Sequence, residues 1–397
     1  MKKLLSLLVS LSLSLILQAQ VSKTINITDA GTLYSYLSKT ERTTVTNLTI
    51  TGTIDARDFV TMRDSLPKLA VLDLGNSDIA ACTTYDDVDS FIQNVNPENA
   101  IPNNSFYKMT HYGIYSLKAI ILPQSITSIG SSAFEGCSRL DSITIPALVT
   151  SIGNRAFQNC EGMAIITFTL PSALKHIGYD TFGHCSSLLS VSIPHSVTSI
   201  DDYAFYACSI ASLTIPSSVT TIGKYAFGEC TNLMSLTIPS SASFIDNGAF
   251  CGCINIQSIY VPSISPADLS SSAYVFTGIN KTMCTLYVPF GSKNAYQNAE
   301  QWKDFNTIEE YDTTIITMVR PATYTNIAIY PNPATTSITI PNENESTVQI
   351  FATNGSMLLN TVTKGKKKIS ITMLPTGSYF VNIITGNTIL TGIFIKQ

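Results

Sequence analysis

The sequence predicts a solenoid of parallel β-strand rungs with short helical or turn segments, followed by a small antiparallel β-sandwich. Three observations lead to this fold class. A unit of about 23 residues recurs between Leu117 and Asn255, most copies have a short alternation of apolar and hydroxyl residues, and closely spaced strands follow residue 326. Repeats of 20 to 50 residues are typical of stacked units, which bury a continuous core only against their neighbours.

The repeating unit is L-x-S-I-T-I-P-x-x-V-T-S-I-G-x-x-A-F-x-x-C-x-x. Six copies begin at Leu117, Leu140, Met163, Leu188, Ile210 and Leu233, and a seventh, degraded copy begins at Ile256. Ile143 and Ile145 alternate with Ser142 and Thr144, which is the period of a strand with one buried face. A Pro then ends the strand, because it has no N–H to donate, and a second short extended piece follows, as in 149–152.

The position after this second piece predicts a sharp turn. It is Gly130, Gly153, Gly178 or Gly223 in four copies and Asp201 or Asp246 in two. Both residue types tolerate positive φ, and both occur at helix N-caps. The Phe and Cys that follow are three residues apart, so they share one face of a helical turn and should face the core.

Nine cysteines in an exported chain leave two interpretations open. Six recur at one slot of the unit: Cys137, Cys160, Cys185, Cys208, Cys230 and Cys253. Beside a core Phe, a recurring Cys behaves as a small buried hydrophobe, which favours a reduced ladder over disulfides. Cys82, Cys251 and Cys284 lie off the ladder, and no two pairs have zinc-site spacing.

The two ends of the repeat array are expected to be atypical. Residues 20–116 predict an N-terminal cap of larger rungs, with strands at 45–51 and 69–74 and a helix at 55–62. Repeats are predicted over 117–279, then a terminal rung and capping helix over 280–312 and a linker over 313–326. Trp302, the only Trp, is expected to close the end of the stack.

Residues 1–19 are typical of a secretory signal peptide. Lys2 and Lys3 precede an apolar run at 4–17, and cleavage is expected after Ala19. The alternative, a membrane anchor, requires about 20 apolar residues. We therefore expect no transmembrane span in the mature chain.

Charge is scarce and unevenly distributed. Residues 20–320 contain 16 basic and 25 acidic residues, a net charge of −9, whereas residues 321–397 contain five Lys and two Glu, a net charge of +3. Nucleic acids and anionic lipids are bound through clustered Lys and Arg. The acidic body therefore argues against a nucleic-acid partner.

From residue 327 to residue 397 the pattern predicts the β-sandwich. Its strands are IAIYP, TSITIP, TVQIFA, KKISITM, SYFVNII and ILTGIFIK, with turns at 354–355, 375–377 and 386–387. Four lysines, Lys364, Lys366, Lys367 and Lys368, lie at the start of the fourth strand. They are interpreted either as charges that protect an edge strand or as a binding patch.

The unit SITIPxxVTSIGxxAFxxC resembles the BspA-like leucine-rich repeat family over residues 117–262. The segments Leu69–Gly75 and Leu286–Trp302 are similar to the first and last rungs of that family. Separately, the C-terminal segment resembles the type IX secretion sorting domain of Bacteroidetes. Its motif residues are Tyr330, Pro331, Asn332, Pro333, Gly355 and Gly377.

These resemblances imply a route and a role. They imply Sec export, passage through the type IX secretion machinery, removal of the sorting domain, and either attachment to the outer-membrane surface or release. They also imply adhesion, with host matrix proteins or other bacteria as partners.

The motifs that support catalysis are missing from the sequence. His111, His176, His184 and His195 stand in no metal-binding spacing, there is no Gly-x-Ser-x-Gly elbow or phosphate-binding Gly loop, and no acidic pair recurs. We therefore expect no enzyme, no metal and no cofactor.

The outward side of the strands remains as the candidate binding face. In a parallel stack it would align Ser142, Thr144, Ser190, Ser192, Ser212, Thr214, Ser235, Thr237, Tyr260 and Tyr287. The tyrosines are the strongest candidates, because aromatic residues dominate interface energetics. The hydroxyls could equally be solvated spacers. Tyr203, Tyr206 and Tyr225, beside the Ala-Phe turns, form a second candidate surface.

The function expected from these observations is that of an exported, adhesin-like binding protein. Two alternatives remain: a passive surface spacer without a specific ligand, and a hydrolase within residues 21–116.

Overall fold

The structure is a computed structural model, which describes residues 20–82, 96–108 and 116–311 and seven C-terminal segments. Those segments are 325–326, 334–340, 345–352, 357–365, 367–374, 377–385 and 388–396. The signal peptide expected at 1–19 lies outside the described residues. The chain divides into two units: residues up to 208 with 225–227, and residues 209–224 with those from 228 onward.

The first unit begins with larger rungs than those of the repeats. Its first elements are β1 (Ser22–Ile27), α1 (Leu33–Tyr36), α2 (Lys39–Thr44), β2 (Asn47–Ile54), α3 (Ala56–Ser65) and β3 (Val71–Ile79). Helix α3 begins at a capping box of Asp55 and Asp58. The buried Asp58 carboxylate also accepts backbone N–H bonds from Gly31 and Leu33, which ties the preceding loop to the helix.

The remaining strands of the first unit are short and parallel. They are β4 (Ala100–Ile101), β5 (Ala119–Ile121), β6 (Ser128–Ile129), β7 (Ser142–Ile145), β8 (Ser151–Ile152), β9 (Ile165–Phe168), β10 (His176–Ile177) and β11 (Ser199–Ile200). Strands β1, β2, β3 and β5 form one sheet, and β7 pairs with β9. On the second side of the rungs, β4, β6 and β8 pair in order, and β10 pairs with β11. The predicted parallel solenoid is confirmed.

Turns containing the recurring Phe connect one rung to the next through the backbone. In the first full copy, the N–H groups of Ser132, Phe134 and Gly136 bond to carbonyls of the following rung at 2.7–2.9 Å. The N–H of Cys137 bonds back to the Phe134 carbonyl at 3.0 Å, which is the i to i+3 contact predicted from the spacing. These segments are turns, and the Phe and Cys of each lie in the core.

The residues directly after the second extended piece, such as Gly130 and Gly153, do not have the positive φ that was expected there. In the structure the left-handed residues lie two positions later, at Ser132, Arg155, Asp180, Tyr203 and Tyr225. At 132, 155 and 180 this conformation turns the N–H towards a carbonyl of the next rung. The glycines have a different role where rungs approach closely, because a Cβ at position 153 would overlap backbone atoms of the preceding rung.

One half-rung, at residues 100–106, was not predicted from the sequence. Residues 100–106 fit S-I-G-x-x-A-F with Ala in place of Ser, Pro in place of Gly and Ser in place of Ala, and β4 pairs with β6 in register. Phe106 stacks on Phe134 with ring centroids 5.1 Å apart. Phe106 also meets Phe59 edge-on at 5.9 Å, so the aromatic core extends beyond the first recognisable copy into the N-terminal rungs.

The second unit continues the same pattern within itself. Its strands and helix are β12 (Ser212–Thr214), β13 (Thr221–Ile222), β14 (Ser235–Thr237), β15 (Phe244–Ile245), β16 (Ser258–Tyr260), β17 (Thr285–Pro289), α4 (Lys293–Asn298) and β18 (Thr307–Tyr311). Strands β12, β14, β16, β17 and β18 form a parallel sheet in that order, and β13 pairs with β15. Trp302 is fully buried against Phe276, with ring centroids 4.9 Å apart, and its indole N–H bonds to the Ala267 carbonyl. It occupies the end of the aromatic core, as expected.

The C-terminal strands are antiparallel, with one exception. They are β19 (Thr325–Asn326), β20 (Ser337–Ile340), β21 (Ser346–Ala352), β22 (Met357–Thr363), β23 (Lys367–Ser370), β24 (Gly377–Thr385) and β25 (Thr388–Lys396). The two described sheets are β19-β25-β24-β21-β22, in which β19 is parallel to β25, and β20-β23. Strand β22 was not predicted, because Asn360 interrupts its apolar alternation. Residues of both sheets share one hydrophobic cluster, which supports the sandwich; its closure stays a prediction.

Among the described residues, no helix has both the length and the apolar character needed to cross a membrane.

The close approach of neighbouring rungs predicts that alanine substitution of two glycines changes stability by different amounts. We expect Gly153→Ala to destabilise the protein by about 1–3 kcal/mol, because its Cβ would overlap the backbone at Ser131. Gly178→Ala is the matched control, since its Cβ would meet nothing nearer than the Asn154 side-chain oxygen at 3.2 Å. Urea unfolding followed by near-ultraviolet circular dichroism measures both, and equal midpoints for the two variants would contradict this account.

Candidate functional site

The outward side of the five-stranded sheet in the second unit is here named the strand face. Register pairs Thr214, Thr237, Tyr260, Tyr287 and Glu309 in one row across the sheet. A second row consists of Ser212, Ser235, Ser258, Thr285 and Thr307. The residues between these rows are apolar and buried, so the alternation predicted from sequence separates core from surface.

Two tyrosines dominate this face. The rings of Tyr260 and Tyr287 stack with centroids 4.6 Å apart and planes 8° apart, which matches the strand spacing. Both are half-buried. Tyr311 meets Tyr260 edge-on at 6.3 Å, and its buried hydroxyl has no hydrogen-bond partner in the described part of the chain. Burial, followed by the nearby Tyr260, raises the pKa of Tyr311.

The proposed hydroxyl row is not one continuous ladder. Ser142 and Thr144 are exposed on β7, which pairs with β9 in a separate two-stranded sheet. Ser190 and Ser192 are also exposed, but they lie outside the strands, and only an isolated bridge from Ile165 to Ser190 is formed. This irregular rung follows the 25-residue step of the repeat, whose two additional residues lengthen the connection before it.

Tyr203, Tyr206 and Tyr225 come together in the first unit. Tyr203 stacks on Tyr225 at 5.5 Å, and Tyr206 meets both rings at steep angles. Tyr179 and His184 extend the cluster. The three tyrosines were predicted from the sequence as a second candidate surface. Their stacking was not predictable from it, because it depends on the left-handed backbone of Tyr203 and Tyr225, which occupy the same position in successive rungs.

A buried carboxyl lies beside this cluster. Asp180 is 7% exposed, accepts a hydrogen bond from the Gln158 amide through Oδ2, and has a buried Oδ1 without a partner. Burial raises the pKa of Asp180 to about 6; the Arg155 guanidinium opposes this rise and Glu135 adds to it. The Arg155 guanidinium lies 5.5 Å from the centre of the Tyr179 ring.

The six ladder cysteines are buried and form no disulfide in the structure, and the same holds for Cys82 and Cys284; Cys251 is partly exposed. Cys160, Cys185 and Cys208 each donate a thiol hydrogen bond of 3.2–3.3 Å to the Phe carbonyl of the preceding rung. Burial raises the pKa of the Cys160 and Cys185 thiols well above the usual value. Within the described ranges no three His, Cys, Asp or Glu side chains group in a way that could hold a metal ion.

The repeat pattern, the parallel rungs and the Phe-Cys core together match a known family. The model for the BspA type Leucine rich repeat region matches in six copies, over residues 99–201 and 161–282. Residues 99–282 are a BspA-type repeat region. This match begins at the half-rung that contains Phe106, before the sequence-predicted start at Leu117.

A second family model accounts for the C-terminus. The secretion system C-terminal sorting domain matches residues 328–397, next to the BspA-type solenoid. Tyr330, Pro331, Asn332, Pro333 and Gly355 lie outside the described residues, and Gly377 begins β24. The sorting domain marks the chain for secretion to the cell surface or beyond.

Several solved structures resemble the chain. A leucine-rich repeat protein from Bacteroides ovatus is 23% identical over 64% of this chain and 65% of its own, with a TM-score of 0.37. A leucine rich cell surface protein from Faecalibacterium prausnitzii is 21% identical over 68% and 77%, with a TM-score of 0.34. The chain spans just under two thirds of the B. ovatus protein. No curated protein matches it in sequence.

Thiol labelling tests the cysteine ladder. We expect a maleimide reagent to modify Cys251 alone in the native protein, because the other eight thiols are buried, and all nine after denaturation. Mass spectrometry counts the labels. Recovery of fewer than six free thiols from denatured, unreduced protein would overturn the reduced ladder.

The raised pKa of Asp180 predicts a pH-dependent stability. The native state favours the protonated carboxyl, so this contribution is fully present below pH about 4 and is lost as pH rises through about 6. Asp180→Asn should therefore raise the thermal midpoint at pH 7.5 by about 2–5 °C, and the gain should shrink towards pH 4.

The control for this effect is Glu161→Gln, which alters an exposed carboxylate in the same unit. Thermal melts at five pH values compare the variants with the wild type. A gain for Asp180→Asn that is the same at every pH would contradict the assignment.

Proposed function

We propose that the protein is an exported, adhesin-like binding protein that holds a protein or cell-surface partner on the strand face. The observation that supports this most directly is the stacked pair of Tyr260 and Tyr287, which lies in the outward row between Thr237 and Glu309. Half-buried aromatic side chains give large contact area and lose little conformational entropy on binding.

The repeat architecture supports binding in preference to catalysis. Each rung uses its Ile, Phe and Cys to build the core, so the outward positions can vary without loss of the fold. The face bears short hydroxyl side chains around the tyrosines, and none of the groups there forms a nucleophile and base pair. Partners among host matrix proteins or other bacteria follow from the family resemblance alone.

The sorting domain supports the proposal that binding occurs outside the cell. It directs the solenoid out of the cell, where a rigid repeat array can present a surface to other molecules. We propose that an N-terminal signal at 1–19 starts this export and that the domain interacts with the type IX machinery before it is removed.

Substitution of the tyrosine pair by a residue that the rungs already accept provides the test. Thr214 and Thr237 occupy the same row, so Tyr260→Thr with Tyr287→Thr should fold. We expect this double variant to bind its partner at least about thirtyfold more weakly, the loss of about 2 kcal/mol typical of an interface hot spot.

The measurement is saturable binding of the full-length protein to a panel of purified extracellular-matrix proteins and to intact bacteria. The control variant is Ser212→Ala with Thr214→Ala, two strands away on the same sheet. Equal binding by the wild type and the tyrosine variant would reject the strand face, and no saturable binding to any of the panel would favour the passive spacer.

A further inference from the structure

The strand face is asymmetric around its tyrosine pair. Tyr260 covers the side of the Tyr287 ring that is turned towards β16, so the opposite side is turned towards β18. The residue beside it on β18 is Glu309, which is exposed. The register thus places Tyr287 and Glu309 at opposing positions of neighbouring strands, whose backbones are about 4.8 Å apart.

Glu309 is the only charged residue at the outward positions of these five strands, all of which are described. The next residue, Glu310, is turned away from the face, and its carboxylate accepts the backbone N–H of Lys293. Lys281 and Lys303 of the same unit pair with other carboxylates, Lys281 with Asp304 at 2.9 Å and Lys303 with Glu300 at 2.7 Å. The face therefore presents one negative charge next to an aromatic ring.

We propose that the partner presents an arginine, whose guanidinium stacks on the free side of Tyr287 and pairs with Glu309. This inference rests on the proposed function of the strand face. It specifies the partner as a protein segment with an exposed arginine, and the net charge of −9 on residues 20–320 favours a basic partner through the same electrostatics.

Arginine fits this geometry better than lysine. Its guanidinium is planar, stacks on aromatic faces and donates two parallel hydrogen bonds to one carboxylate. The chain contains the same stacking elsewhere, because the Arg42 guanidinium lies 3.8 Å above the Tyr34 ring centre. A lysine ammonium could reach the carboxylate but would not cover the ring.

The test uses short probes and tyrosine signals. Full-length protein labelled with ¹³C in its tyrosine rings is titrated with acetyl-Ser-Arg-Ser-amide and with the lysine and citrulline counterparts, and Tyr287→Phe assigns the resonance. We expect a saturable shift of the Tyr287 signal with the arginine peptide, a weaker one with lysine and none with citrulline. Glu309→Gln should reduce the arginine affinity at least fivefold, and the matched Glu310→Gln should leave it unchanged.

A missing shift with the arginine peptide, an equal response to citrulline, or an unchanged affinity in Glu309→Gln would overturn the inference. A different combination of results would reject the proposed function. If the tyrosine double variant loses a partner that Glu309→Gln still binds normally, the face binds but recognises no arginine. If neither substitution changes binding of that partner, the strand face is not the binding site.

Discussion

Within each unit, backbone hydrogen bonds hold successive rungs together, and the other features of the solenoid depend on this constraint. Parallel strands supply the bonds on two sides, and the Phe-containing turns supply them on the third through alternate N–H groups, as at Ser132 and Phe134. With the backbone fixed in register, equal slots in successive rungs must lie one above another. Columns of identical side chains are the consequence.

The phenylalanine and cysteine columns show how this register produces a core. Phe134, Phe157 and Phe182 stack at 5.1–5.4 Å with nearly parallel planes, close to the distance that the backbone imposes. A Cys fits beside each ring because it is small, apolar and able to donate a weak hydrogen bond to the preceding rung. The same buried position raises the pKa of the thiols and so keeps them unreactive.

The same register also creates the surfaces on which binding would occur. A tyrosine in one rung gains a stacking partner whenever the next rung has one in the same slot, as with Tyr260 and Tyr287, or Tyr203 and Tyr225. A polar side chain in such a stack can lack a hydrogen-bond partner. The Oδ1 atom of Asp180 is an example, because it occupies the space where a Cβ of residue 183 would lie and has no hydrogen-bond partner. The effect of a side chain at an outward position therefore depends on which residue occupies the same position in the next rung.

The sequence by itself determined the solenoid, its rung boundaries, the inward direction of Ile, Phe and Cys, and the antiparallel character of the C-terminal strands. It could do so because period and alternation are local properties of the chain. It missed the half-rung at 100–106, where three of the five defined positions of the consensus are substituted, and strand β22, where Asn360 interrupts the alternation.

Only the tertiary structure decided which residues adopt positive φ, why Gly153 must lack a side chain, and where the hydroxyl row is interrupted. It also decided that Glu309, which belongs to no repeat copy, lies beside Tyr287. These features arise from the approach of one rung to another, and distances between residues more than 20 positions apart are not encoded in any local pattern.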